Sequence, residues 1–240
     1  MNTPRIKTFI YFIPIFLCTY SSVRASLTVY LVHGYGSLPI TMSAIERDLI
    51  KEKFRTCNFG YKSISKDIDS CSKLLYLKIK SIAVDTVCFV THSMGGLVVR
   101  GLLNYVRIDS AFPIISRIVM LAPPNHGAQI ADFFSSTSVL KWVLGPNVEH
   151  MRTDSNSFAN KLPIPQNSEL GIILGARFDG VGYNPFIKGD NDGFLTAEKA
   201  KLGTEKEIIT VPEAHILMPQ NRTIRKYIVH FMLYGNFTKE

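Results

Sequence analysis

The chain has 240 residues, 46% hydrophobic, 11% aromatic and 19% charged, with a formal net charge of +8. This composition excludes a disordered chain, a collagen-like fibre and a coiled coil, and the length suits one substantial domain around a single core. Basic residues are interspersed with acids and form no Lys/Arg run of five or more, so a nucleic-acid partner has no support.

The first 25 residues read as a segment apart. Arg5 and Lys7 precede an apolar run from Thr8 to Tyr20, and Val23-Arg24-Ala25 fits a small-x-small cleavage rule. The run is short for a membrane span and contains Pro14. Residues 1–25 are therefore expected to be a secretory signal cleaved after Ala25, with an uncleaved signal anchor as the alternative. The protein is expected to be exported, periplasmic or secreted. Cleavage removes Arg5, Lys7 and Arg24 and no acid, which lowers the net charge from +8 to +5. That charge is compatible with association with anionic lipid surfaces without requiring it.

Leu27–Val32 is a continuous apolar run ending at His33-Gly34, the pattern of a strand buried on both faces. Ser43–Phe54 carries Ile45, Leu49, Ile50 and Phe54 at helical spacing. Tyr61–Ile64 reads as a short strand and Leu74–Ile82 as a helix. Val84–Val90 is a strand followed at once by a turn around Ser93. Leu97–Val106 is an apolar helix with Arg100 and Asn104 on its polar side. Arg117–Ala122 is a strand stopped by Pro123-Pro124. Leu170–Ala176 and Lys206–Val211 are further strands, and Thr223–Leu233 closes the chain as an amphipathic helix.

Strands alternating with helices predict an α/β fold: a doubly wound, mostly parallel sheet covered on both faces, occupying residues 26–240. Residues 125–169 are rich in Ser, Asn and Pro and hold an apolar patch of Phe133, Phe134, Val139, Leu140, Trp142, Val143 and Leu144. A structureless loop of that length is uncommon inside a compact domain, so residues 128–168 are expected to form a small helical cap or lid.

Three cysteines follow the leader. Cys88 lies in a strand-like run and reads as inert. Cys57 and Cys71 stand 14 residues apart in a polar stretch, and their pairing in an oxidising compartment is left open. The closed loop is worth about 3 kcal/mol in the chain-entropy model.

The chemistry centres on Thr91-His92-Ser93-Met94-Gly95-Gly96, which follows a strand and opens a helix, the context of a nucleophile elbow. Gly95 supplies the second glycine of G-x-S-x-G, while Thr91 replaces the first. A serine hydroxyl needs a base to take its proton, and acyl transfer needs donors for the oxyanion. The peptide N–H groups of Tyr35, in His33-Gly34-Tyr35-Gly36, and of Met94 are placed to form that hole. The order Ser, acid, His points to Asp190 or Asp192 as the acid and to His215, after a strand and before the last helix, as the base. His126, His150 and His230 compete less well by position, and His92 is expected to shape the elbow. Asp190-Asn191-Asp192-Gly193 shares part of a calcium-loop pattern, but no Glu follows at the required distance, so no metal is expected.

Together, His33-Gly34-Tyr35-Gly36, the Ser93 turn, Leu121-Ala122-Pro123-Pro124-Asn125-His126-Gly127-Ala128, Asn191-Asp192-Gly193 and His215 resemble the triacylglycerol-lipase and GPI-inositol-deacylase-like branch of the α/β-hydrolases. The resemblance runs from about Leu27 to the C-terminus. It implies that Asp192, directly before Gly193, is the acid, and that Asn125 and His126 are structural or substrate-lining. It further implies acyl transfer through a Ser93–His215–Asp192 triad with no cofactor, while the apolar patch of the expected cap and the expected export point to a lipid-like ester as substrate. An acyltransferase and a catalytically silent binding scaffold are the competing expectations.

Overall fold

The computed structural model describes residues 27–135 and 144–238. The expected signal, residues 1–25, lies outside the described residues, as do Val139, Leu140, Trp142 and Val143 of the apolar patch.

The strands are β1 (Leu27–Val32), β2 (Arg55–Phe59), β3 (Thr86–His92), β4 (Ile114–Leu121), β5 (Glu169–Gly175) and β6 (Glu207–Val211). They form one six-stranded, all-parallel sheet in the order β2-β1-β3-β4-β5-β6. The helices are α1 (Ser43–Lys51), α2 (Ile68–Lys80), α3 (Met94–Val106), α4 (Gln129–Phe134), α5 (Pro146–His150), α6 (Phe158–Lys161), α7 (Ala197–Ala200) and α8 (Arg222–Tyr234).

Central strands covered on both faces need apolar, largely β-branched sequence throughout. β1 and β3 meet that demand, and Val29–Val32 and Val87–Val90 are all buried. β2 is at the sheet edge and is half-exposed over most of its length. An edge strand tolerates Arg55, Thr56 and Asn58, and so it lacks the apolar run that marks the others. The strand expected at Tyr61–Ile64 is consequently misplaced: pairing ends at Phe59, and Tyr61 lies in the following loop.

The connection from β1 runs outward to β2, whereas those from β2 and β3 run the other way across the sheet. Right-handed crossovers then place α1 on one face and α2 and α3 on the other. The packing agrees, since α2 lies against α3 and α1 against α8. The direction of winding reverses between β1 and β3, and the crevice at their C-terminal ends is where open α/β sheets bind ligands.

The cysteine question left open by the sequence is answered, and one expectation needs correction. Cys57, on β2, and Cys71, buried in the first turn of α2, are free thiols. Burial pushes the Cys71 and Cys88 thiols up to about 11, which keeps both protonated and unreactive near neutrality. Arg100, read as the polar side of α3, is 1% exposed. Its guanidinium donates to the carbonyls of Pro163 (3.0 Å), Leu162 (2.6 Å) and Asn125 (2.8 Å), so it ties α3 to the end of the insertion between β4 and β5. Burial lowers its pKa to about 10, which still leaves it charged. The described part of that insertion carries the short helices α4, α5 and α6. Among the described residues, no helix is long and apolar enough to cross a membrane.

Candidate active site

Ser93 sits between β3 and α3 with φ 53° and ψ −128°, a conformation that is costly for any residue with a side chain. Neighbouring contacts hold it there. The Ser93 N–H donates to the Leu121 carbonyl at 2.9 Å. A Cβ on Gly95 would stand 2.3 Å from the Val32 carbonyl oxygen and 2.7 Å from that of His33, so only glycine lets α3 start this close to β1. Thr91, the departure from G-x-S-x-G, is accommodated fully buried beside Gly96.

Gly34 brings the loop after β1 against Ser93, since its missing Cβ would lie 3.0 Å from Ser93 Cβ. Tyr35 follows, and its hydroxyl donates to the Leu144 carbonyl. Met94 opens α3, so its N–H has no acceptor within the helix and sits at the positive end of the helix dipole.

His215 begins the 3₁₀ turn His215–Gln220 that follows β6. Its Nδ1 lies 2.6 Å from Asp192 Oδ2, and the two side chains are 3% and 2% exposed. The other carboxylate oxygen of Asp192 accepts the amides of Phe194 (2.9 Å) and Leu195 (3.0 Å). The His215 N–H donates to the Asp192 carbonyl at 2.8 Å, and Phe194 stacks on the imidazole at 4.4 Å. Asp190 is engaged elsewhere: its carboxylate accepts the amides of Arg177 (2.8 Å) and Phe178 (2.6 Å). Of the two acids left open by spacing, Asp192 is the one bonded to His215.

Ser93 and His215 line one cavity of about 460 Å³, together with Gly34, Tyr35, His92 and Phe194. Leu38, Ile40, Ala131, Phe134, Leu144, Val148, Met151 and Ile216 make the remainder of its wall mostly apolar.

Other residues singled out from the sequence are placed differently. His33, Gly95, Asn125 and His126 are not on the cavity wall. His33 is fully buried and stacks on Tyr61 at 4.3 Å, Tyr61 donates to the His33 carbonyl at 2.5 Å, and burial lowers the His33 pKa. Asn125 is fully buried, donates to the Ala200 carbonyl at 2.7 Å and accepts from Arg100. His126 pairs with the Asn160 side chain at 2.7 Å, His150 stacks on Phe158 and His230 meets the Asn236 carbonyl. Asn125 is thus engaged with Arg100 and Ala200, and His126, half-buried, with Asn160, away from the cavity wall.

Two residues beside the Asp192–His215 pair do more than their place in a sequence motif implies. Asn191 is fully buried; its amide nitrogen, with two hydrogens to donate, lies within 2.9–3.3 Å of the Val181, Asn184, Ile187 and Gly189 carbonyls, and its oxygen accepts from the Asn184 and Gly193 N–H groups. It organises the loop that delivers Asp192. The Asn of Asn191-Asp192-Gly193 was the available signal. Phe194 left none beyond its position after that Gly. Among the described residues, no group of three or more His, Cys, Asp or Glu is placed to hold a metal ion.

No protein-family model and no curated protein matches the chain. Solved structures do. A Bacillus licheniformis lipase in its mature form superposes with a TM-score of 0.66 at 20% identity, covering 89% of this chain and 93% of its own. A metagenomic carboxyl esterase gives 0.60 at 15% identity over 80% of this chain and 65% of its own. An extracellular α/β-hydrolase from a Paenibacillus species gives 0.52 at 14% identity over 88% of this chain and 100% of its own. Taken with the six-stranded parallel sheet and the sharp strand-to-helix turn at Ser93, these likenesses establish that the chain has the α/β-hydrolase fold.

Proposed function

We propose that the protein is a serine hydrolase that cleaves carboxylic esters with apolar, lipid-like acyl groups. The observation that carries this reading is the His215 imidazole, held by the buried Asp192 carboxylate, lining one apolar cavity with Ser93 on its strained turn. In this reading Ser93 Oγ attacks the ester carbonyl while His215 Nε2 takes its proton. Asp192 accepts the Nδ1–H of His215, fixing the imidazole tautomer and stabilising the imidazolium. The N–H groups of Tyr35 and Met94 receive the oxyanion. Collapse expels the alcohol, which takes the proton from His215, and water then cleaves the acyl-enzyme by the same route.

The apolar wall supports an alkyl acyl group, and the lipase and esterase among the structural neighbours support the ester. Leu38, Ile40 and Ile216 belong to the cavity wall yet are 65%, 74% and 66% exposed, which suits an ester presented from a lipid surface. Export through the leader of residues 1–25 belongs to the same reading.

A fluorophosphonate probe tests it. The parent protein is expected to be labelled at Ser93 and Ser93→Ala is not. Absence of labelling on a folded sample would turn the reading to a binding scaffold. A nitrophenyl-ester series from acetyl to palmitoyl then reads the acyl range, and activity confined to acetyl esters removes the lipid-like substrate. Product analysis with an added alcohol separates hydrolysis from acyl transfer to that alcohol.

A further inference from the structure

His92, immediately before the nucleophile, plays no part in the triad chemistry, yet it is 7% exposed and packs against both the His215 loop and the loop after β1. Its Nε2 lies 3.0 Å from the His215 carbonyl oxygen, across 123 residues of chain. A carbonyl only accepts, so Nε2 carries the proton and donates. The ring centroids of His92 and His215 are 4.9 Å apart, with the planes inclined at 43°. On the other side, a Cβ on Gly34 would stand 3.4 Å from His92 Nδ1, so the imidazole also abuts the loop that carries Tyr35.

From this geometry we infer that His92 is a positioning residue, a neutral hydrogen-bond donor that fixes the peptide of His215 relative to the Ser93 turn. The inference rests on the proposed triad. The His215 backbone is gripped on both sides: its N–H goes to the Asp192 carbonyl at 2.8 Å and its carbonyl to His92 at 3.0 Å. Asp192 sets the tautomer and Phe194 covers the ring, but neither is joined to the nucleophile turn. His92 is, through a single peptide bond to Ser93. One hydrogen bond therefore sets the base loop and the nucleophile in a common frame.

The donor survives acid because the site keeps the ring neutral. Burial, and secondarily the nearby His215, lower the His92 pKa to about 3. Asp192 and His33 are the other titratable groups acting on it, the first opposing that shift and the second adding to it. A cationic His92 beside the imidazolium that forms during turnover would oppose catalysis, whereas a neutral donor does not.

Position of the donor, not bulk, is what the role requires, and three variants separate the two. Glutamine places an amide N–H near the site of Nε2, asparagine places one near the site of Nδ1, and leucine has none. His92→Gln is expected to keep kcat on a nitrophenyl ester within about fivefold of the parent. His92→Asn and His92→Leu are expected to lose about 100-fold in kcat with KM nearly unchanged, the scale of a misplacement near 1 Å. The downfield proton resonance of the His215–Asp192 hydrogen bond should persist in His92→Gln and broaden or move in His92→Asn. Equal kcat in the Gln and Asn variants, both folded by circular dichroism, would overturn the inference, as would parallel losses in kcat/KM and thermal stability across all three. Should His92→Leu fail to fold, the Gln and Asn pair decides alone. A parent protein that neither hydrolyses the ester nor takes the fluorophosphonate would instead remove the triad reading, and this role with it.

Discussion

Asp192 grips His215 twice, through Oδ2 to the ring Nδ1 at 2.6 Å and through its own carbonyl to the His215 N–H at 2.8 Å. The acid thus sets both the rotation of the imidazole and the path of the loop that bears it. Asparagine in place of Asp192 offers a donor or acceptor of the wrong charge and stabilises the wrong tautomer. Asp192→Asn is expected to lower kcat by about 10⁴-fold. Asp190→Asn should leave kcat within a few-fold and reduce stability by about 1–2 kcal/mol, because its carboxylate accepts only the Arg177 and Phe178 amides. Nitrophenyl-ester kinetics and urea melts on both variants check this.

The Ser93 turn has no spare volume at its helix side. Gly95→Ala would press a Cβ to 2.3 Å from the Val32 carbonyl oxygen, a backbone atom that cannot turn aside. The expected cost is about 3 kcal/mol or more. Gly36→Ala is the control: φ there is 64° but nothing lies within 4 Å, so the cost is about 1 kcal/mol from the backbone alone. Chemical denaturation reads both, and equal costs would contradict this account of the elbow.

Acid should weaken the fold through buried neutral histidines. Burial depresses the folded-state pKa of His92 to about 3 and lowers that of His33. The unfolded chain therefore binds more protons than the native one as pH falls below the ordinary histidine value of about 6.5. Stability from this source is whole above that pH and is lost progressively towards pH 3. Melting temperatures between pH 7 and pH 4 should fall, and His92→Gln should show a shallower decline than the parent.

Arg100 replaced by Met keeps the apolar stem and removes every donor. The carbonyls of Asn125, Leu162 and Pro163 then lose their partner beneath the β4–β5 insertion. The expected loss is about 3 kcal/mol. Hydrogen exchange should show the region around Leu162 opening before the sheet does.

Chain-length selectivity should respond to Ala131, which is 3% exposed and lines the cavity from α4. Ala131→Phe is expected to raise KM for palmitoyl and octanoyl esters by about tenfold or more, the discrimination set by a few methylenes, while leaving the acetyl ester unchanged. Uniform effects along the series would take the acyl group out of this part of the cavity.

Much of the arrangement is written locally. Near-continuous apolar runs determine β1, β3, β4 and β5, because strands buried on both faces leave few positions for a polar side chain. The Ser93 turn is legible because glycine must stand where a Cβ at the start of the helix would lie 2.3 Å from a neighbouring strand's carbonyl oxygen. The order Ser93, Asp192, His215 follows from successive strands ending on the same edge of a parallel sheet. These are short-range demands, and each leaves its residue type in the chain.

The remainder depends on partners distant in sequence. β2 was obscured because an edge strand need not be apolar. Arg100 has an ordinary surface residue's type, and only the carbonyls of Asn125, Leu162 and Pro163 make its burial tolerable. The choice of Asp192 over Asp190 by geometry, and the bond from His92 to the His215 carbonyl, exist only once β3, β4, β5 and β6 are assembled into one sheet. Hydrogen bonds across such separations impose no periodicity and no composition on the segments they join. The sequence by itself determined the central strands, the turn at Ser93 and the order of the candidate triad. The tertiary structure alone decided which polar atoms meet, because meeting is a property of the packed sheet and its loops rather than of any stretch of chain.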